Sequence, residues 1–197
     1  MMQPQQINDG SRAQPTKLSS VPRQYVDVND LRRMLKLALG LHSLGDPLKR
    51  LNKAMDGLAR LAGADAWVAM VLNTKAKGAS PVSKVFTGGK DAPAAQALAT
   101  RIESDHRQAG TSVGKLFATP RQTPGRVLAG IERGKTGDGP SAIHSLLRPE
   151  TAGSAQRRLT WISIHRNAGA APFRERERRL VELFHSQSAW LLLQVEG

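Results

Sequence analysis

Residues 129–136, AGIERGKT, come nearest to a chemical motif in this chain, with the spacing of a relaxed phosphate-binding loop and Ala in its first position. A phosphate cradle needs a helix to begin at the Lys-Thr, so that its first N–H groups point at the nucleotide. Here Thr136 is followed by Gly-Asp-Gly-Pro, from which no helix grows, and no apolar strand ends in an Asp placed to hold magnesium. The segment reads as a basic hairpin turn. The five histidines, His42, His106, His144, His165 and His185, include no i,i+4 pair with an intervening Glu and no Cys/His cluster. With no cysteine in the chain, thiolate metal sites, thiol nucleophiles and disulfides are excluded. No Gly-x-Ser-x-Gly elbow presents a serine. No catalytic residue, metal or cofactor is assigned. Trp67, Trp161 and Trp190 read as packing residues, and His165 either as a satisfied strand histidine or as part of a pocket wall.

The charge is the loudest compositional signal: 29 Lys and Arg against 16 Asp and Glu leave +13, with a pI near 11.0. Such a balance favours nucleic acid or anionic surfaces as partners. The excess is spread along the chain, with five surplus cations over residues 31–62. Aromatics make up 4%, too few for the stacking platforms of single-strand binding. Arg32, Arg33 and Lys36 repeat the spacing of Lys49, Arg50 and Lys53. These six are the candidates for a nucleic-acid contact, against the plainer reading of two solvated helix faces.

At 197 residues one domain with a tail is expected. Residues 1–24 are rich in Gln, Pro and Ser with little to bury, and read as a disordered tail; residues 25–197 form the domain. No secretory leader or span of about twenty apolar residues is present, so a cytoplasmic protein without membrane contact is expected. A first helix starts at an Asp27 or Asn29 cap and stops near Gly45, with an apolar arc wider than one stripe. Asp46-Pro47 opens a second helix that Gly63 closes. Residues 65–72 read as a buried strand, and 81–87 as its hairpin partner, ended by Gly88-Gly89. Asp91 caps a helix running to His106. GRVLAGIE and SAIHSLLRP are two further strands, and QRRLTWISIHR is a strand apolar on both faces, hence central. A closing helix follows Phe173, with Glu175 and Glu177 in its first turn and a Glu175–Arg179 pair. Its apolar surface, like that of the first helix, exceeds one core contact. The two helices are therefore expected to meet in a homodimer seam that includes Leu35, Leu39, Leu183, Trp190 and Leu191.

The stretch SIHRNAGAAPFRERERRLVELFH, residues 163–185, resembles the end of the GAF-like sensory domain that precedes LuxR-type helix-turn-helix regions in bacterial transcription regulators. LGDPLKRLNKAMDGLARLAGADAWVAMVL resembles its beginning. Together they cover about a third of the chain. Arg174 stands where such domains carry a Ser or Thr N-cap, although the Glu177 partner is kept. The sequence stops at Gly197 before a helix-turn-helix, so an excised sensory domain or a stand-alone relative is expected. The resemblance implies an α+β, GAF/PAS-like fold: an antiparallel sheet with helices on one face and the terminal helices at the seam. It also implies a non-enzymatic signalling module, with a small-molecule ligand or a regulator protein as partner and no direct DNA binding. A pocket between the sheet and residues 109–155, lined by Trp161, His165 and Arg166, is the expected ligand site.

Overall fold

The computed structural model describes residues 27–73, 82–106, 108, 110–118, 125–134, 139–148 and 158–196. The proposed tail lies outside them. Ten elements follow in the order α1 (Val28–Leu41), α2 (Pro47–Ala62), β1 (Ala66–Asn73), β2 (Val82–Gly89), α3 (Ala92–Asp105), α4 (Ser112–Ala118), β3 (Val127–Arg133), β4 (Ser141–Leu147), β5 (Arg158–Arg166) and α5 (Glu175–Glu196). The strands make one antiparallel sheet in the order β2-β1-β5-β4-β3. The α+β class and the central place of the QRRLTWISIHR strand are as expected.

The helix boundaries follow from local chemistry. Asp27 Oδ1 accepts from the Asn29 N–H at 2.8 Å, Asp46 Oδ1 from Leu48 N at 2.8 Å, and Asp91 Oδ1 from Ala94 N at 2.9 Å. Each satisfies a donor that the first turn leaves open. Gly63 ends α2 in the left-handed region, φ 65°, where a Cβ is costly. At the start of α5 there is no capping hydroxyl, yet Glu177 reaches back to the Arg174 N–H at 2.9 Å. That is the acidic half of a capping box.

The sheet is covered on both sides. Alternation along β1 sends Trp67, Ala69 and Val71 to one core, with α1, α2 and α5, and Val68, Met70 and Leu72 to a second core under α3 and α4. Helices were expected on one face; α3 and the unforeseen short α4 add the second layer, because β1 and β5 are apolar on both sides. β2 also runs further than expected, through Gly88 and Gly89. Gly88 pairs with Trp67, and a Cβ there would lie 2.5 Å from the indole ring. This glycine makes room for a tryptophan, which Asp56 holds through a 2.7 Å bond from Nε1.

Candidate functional site

The three residues expected to line one pocket divide between the two faces. Trp161 and His165 point to the α3 side. Arg166, the next residue, points to the other, where it donates from Nε to Gly63 O at 2.9 Å and from Nη2 to Ala62 O. Its guanidinium stacks 4.2 Å from the Phe173 ring centroid. Arg166 thus ties up the carbonyls at the end of α2 and braces the turn before α5, and it cannot share a pocket with Trp161. The period of two in a strand carried this information, and grouping the three residues overlooked it.

On the α3 side a hydrogen-bonded chain crosses three strands. Trp161 Nε1–H donates to Ser163 Oγ at 2.6 Å, Ser163 lies 2.7 Å from His144 Nδ1, and His144 Nε2 lies 2.8 Å from Glu132 Oε2. Arg101 of α3 closes the chain with a 3.0 Å ion pair to the same Glu132 oxygen. Each group has one consistent role: Ser163 donates to Nδ1, and the Nε2–H donates to an ionised carboxylate. Burial pushes the His144 pKa down, only partly opposed by Glu132, while the bond from His144 holds the Glu132 carboxyl below its usual range. A neutral imidazole beside a carboxylate results. The residue types are those of a Ser-His-acid relay, but Ser163 and His144 are both 0% exposed and the serine oxygen already accepts from Trp161. A nucleophile must meet its substrate, so the geometry describes a structural network. Nearby, burial lowers the His165 pKa. Asn167 bridges Asp65 and Asp91, from its N–H at 3.0 Å and its Nδ2 at 2.9 Å. The bonds to Ala94 N–H and Asn167 hold the Asp91 pKa low. Among the described residues no three His, Asp or Glu side chains gather as a metal set.

The opposite layer holds an apolar surface that no described residue covers. α1 packs through Met34, Leu37 and Leu41 against α2 and α5, so close that a Cβ on Gly57 would lie 2.5 Å from Leu37. Its first turn is locked by Asp30, 1% exposed, which receives Nε and Nη2 of Arg176 at 2.9 and 2.7 Å. A second apolar stripe, Val28, Leu31, Leu35 and Leu39, at helical spacing, faces away from the core with exposures of 44 to 64%. Arg32, Arg33 and Lys36 are also exposed. On α2, Lys49 and Lys53 are exposed and Arg50 is half-buried; the Lys53 Nζ bond to Gly40 O, 3.0 Å, sets that helix against the end of α1. The six basic candidates therefore share the α1–α2 hairpin.

α5 behaves differently. Leu180, Val181, Phe184, Leu191 and Leu192 are all core residues, because the helix packs on the sheet and, along its flank, on α2. Its breadth is satisfied within the chain. Of the five residues expected at a seam, Leu35, Leu39 and Trp190 are exposed, Leu183 is half-buried, and Leu191, 1% exposed, belongs to the core. Sequence reasoning missed His185, fully buried beneath α5 between Ser145 Oγ at 2.7 Å and Thr160 Oγ1 at 2.9 Å. It also missed the Asp30–Arg176 clamp. Each joins residues more than 20 positions apart, beyond the reach of local patterning.

No family model matches the sequence, and no curated protein matches it. Among solved structures, the chain is similar to the GAF domain from a phosphoenolpyruvate-protein phosphotransferase of Coxiella burnetii, with 11% identity, a TM-score of 0.40, and coverage of 85% of this chain and 93% of that chain.

Proposed function

We propose that this protein is a non-enzymatic sensory and dimerisation module of a bacterial transcription-regulatory system, passing ligand or partner state through α5. The observation that carries the reading is the bare stripe on α1. Among the described residues, four apolar side chains on one face of a helix have no contact that explains them, and contiguous exposed apolar surface marks interaction sites. The stripe is also self-complementary. An antiparallel two-fold crossing centred on Leu35 sets Leu31 against Leu39 of a second copy and Val28 against His42. Arg32 and Lys36 then fall opposite positions 38 and 34, neither of them charged, so a chain of net charge +13 can pair along the outer stripe without setting like charges directly against each other. α5 suits a relay because it touches β1, β3, β4, β5 and α2. The sequence resemblance to GAF-like regulatory domains points to the same class.

Sedimentation equilibrium of the wild type and Leu35→Glu tests the reading. A wild-type dimer and a monomeric variant of unchanged circular dichroism are expected. A wild type that stays monomeric at every concentration refutes it. A second reading, a basic nucleic-acid-binding protein, draws on the exposed cations of the α1–α2 hairpin. It requires affinity for duplex DNA or RNA that falls steeply with salt and weakens in Lys49→Gln/Lys53→Gln.

A further inference from the structure

α1 and α5 run side by side, clamped at their N-terminal ends by Asp30 and Arg176. Further along, between residues 34–42 and 184–191, lies a groove of about 370 Å³, within the range of about 300–1,000 Å³ typical of small-molecule sites. Its walls are apolar: Met34 and Leu37 from α1, Phe184, Trp190 and Leu191 from α5. Arg50 is the one permanently charged residue among the described residues that line it, and no carboxylate does. Arg50 is half-buried, its Nε is anchored on Leu44 O, and it makes no ion pair among the described residues. A partly desolvated guanidinium beside an apolar trough favours an occupant with a greasy body and a single anionic head.

We propose that this groove binds an aliphatic monocarboxylate of medium chain length, with the alkyl chain between α1 and α5 and the carboxylate on Arg50. A neutral apolar ligand would leave the guanidinium without a counter-charge, and a phosphate ester would bring a second negative charge that the single arginine of the groove does not match. The proposal supplies a ligand class for the sensory reading but does not need the dimer, since the groove lies on the side of α1 that faces α5 and the bare stripe lies beyond it.

The reporter is built in. Trp190 lines the groove and is 43% exposed, whereas Trp67 and Trp161 are 1% and 0% exposed. Titrating sodium octanoate into the Leu35→Glu protein should give a saturable blue shift and protect Trp190 from acrylamide. Trp190→Phe should remove the signal, and Arg50→Gln should weaken binding about tenfold or more, as expected for loss of a charge-assisted contact. Ala38→Phe, which fills the groove from an exposed position, should abolish binding without disturbing the core. Absence of a saturable shift, octanol binding as well as octanoate, or unchanged affinity in Arg50→Gln would each overturn the proposal. So would an emission shift in wild type that follows protein concentration and ignores octanoate, which assigns the groove to a second copy. A monomeric wild type that still binds octanoate would sink the dimer and leave the ligand site standing.

Discussion

Acid should loosen this fold through its buried imidazoles, His185 above all, before the carboxylates titrate. His185 is buried between the helix α5 and strands β4 and β5, where desolvation alone lowers its pKa to about 3. In the unfolded chain the same group titrates near 6.5. Between those values the unfolded chain takes up a proton that the folded chain refuses. The contribution of His185 is therefore whole above pH 6.5 and is lost as the pH falls towards 3. Each unit inside that window removes about 1.4 kcal/mol, so about 2 kcal/mol is gone at pH 5. Hydrogen bonding does not oppose the charge strongly, because the Ser145 and Thr160 hydroxyls can each turn to accept; exclusion of water does. His144 and His165, also lowered by burial, act in the same direction, so wild type alone is not diagnostic. His185→Gln keeps one donor and one acceptor and removes the titration. Urea unfolding of both proteins at pH 7, 6 and 5 should show wild type losing about 2 kcal/mol more than the variant. Parallel pH profiles would refute the claim that burial of this imidazole sets the acid limit.

Two substitutions test other joints. Gly88→Ala puts a methyl 2.5 Å from the Trp67 ring, and since Asp56 fixes that indole, thermal unfolding should register a loss of about 1–3 kcal/mol; an unchanged Tm would show that the indole moves freely. Arg176→Gln strands the Asp30 carboxylate, which is 1% exposed. With Arg176 itself half in solvent, the expected loss is about 1–3 kcal/mol, with faster hydrogen exchange confined to α1; unchanged exchange there would remove the clamp from the account.

What was legible in the sequence was local. Asp46-Pro47, Asp91 and Gly63 announce helix ends because a capping carboxylate or a left-handed glycine acts within three or four residues. Apolar runs announce strands for the same reason. The polar network on the α3 side was not legible, since His144 reaches Glu132 only through the β3–β4 register, which sets His144 opposite Gly130 and Ala142 opposite Glu132. Moving that register by one residue would turn one of the two to the opposite face. The register depends on a turn whose Gly-rich sequence allows several lengths. Trp161, His165 and Arg166 fail for a simpler reason: neighbours in a strand face opposite ways.

The terminal helices show how one sequence signal covers two physical situations. Both carry an apolar arc too wide for a single contact. In α5 the excess is absorbed by a second internal surface, and even the central polar position, His185, is sealed in by hydroxyls from the sheet. In α1 the inner stripe meets α2 and α5, while the outer one meets nothing among the described residues. The difference lies in position within the layers. α5 lies on the sheet with α2 along its flank, whereas α1 packs chiefly on α2, joined to it through residues 42–46 and to α5 by the Asp30–Arg176 pair. A helix fixed at one end, grooved along its inner side and apolar on its outer side can be moved by what fills the groove and can move what covers the outer face. Under the proposed reading, α1 would carry occupancy of the groove to the outer face, while α5, which touches β1, β3, β4 and β5, would carry it to the sheet.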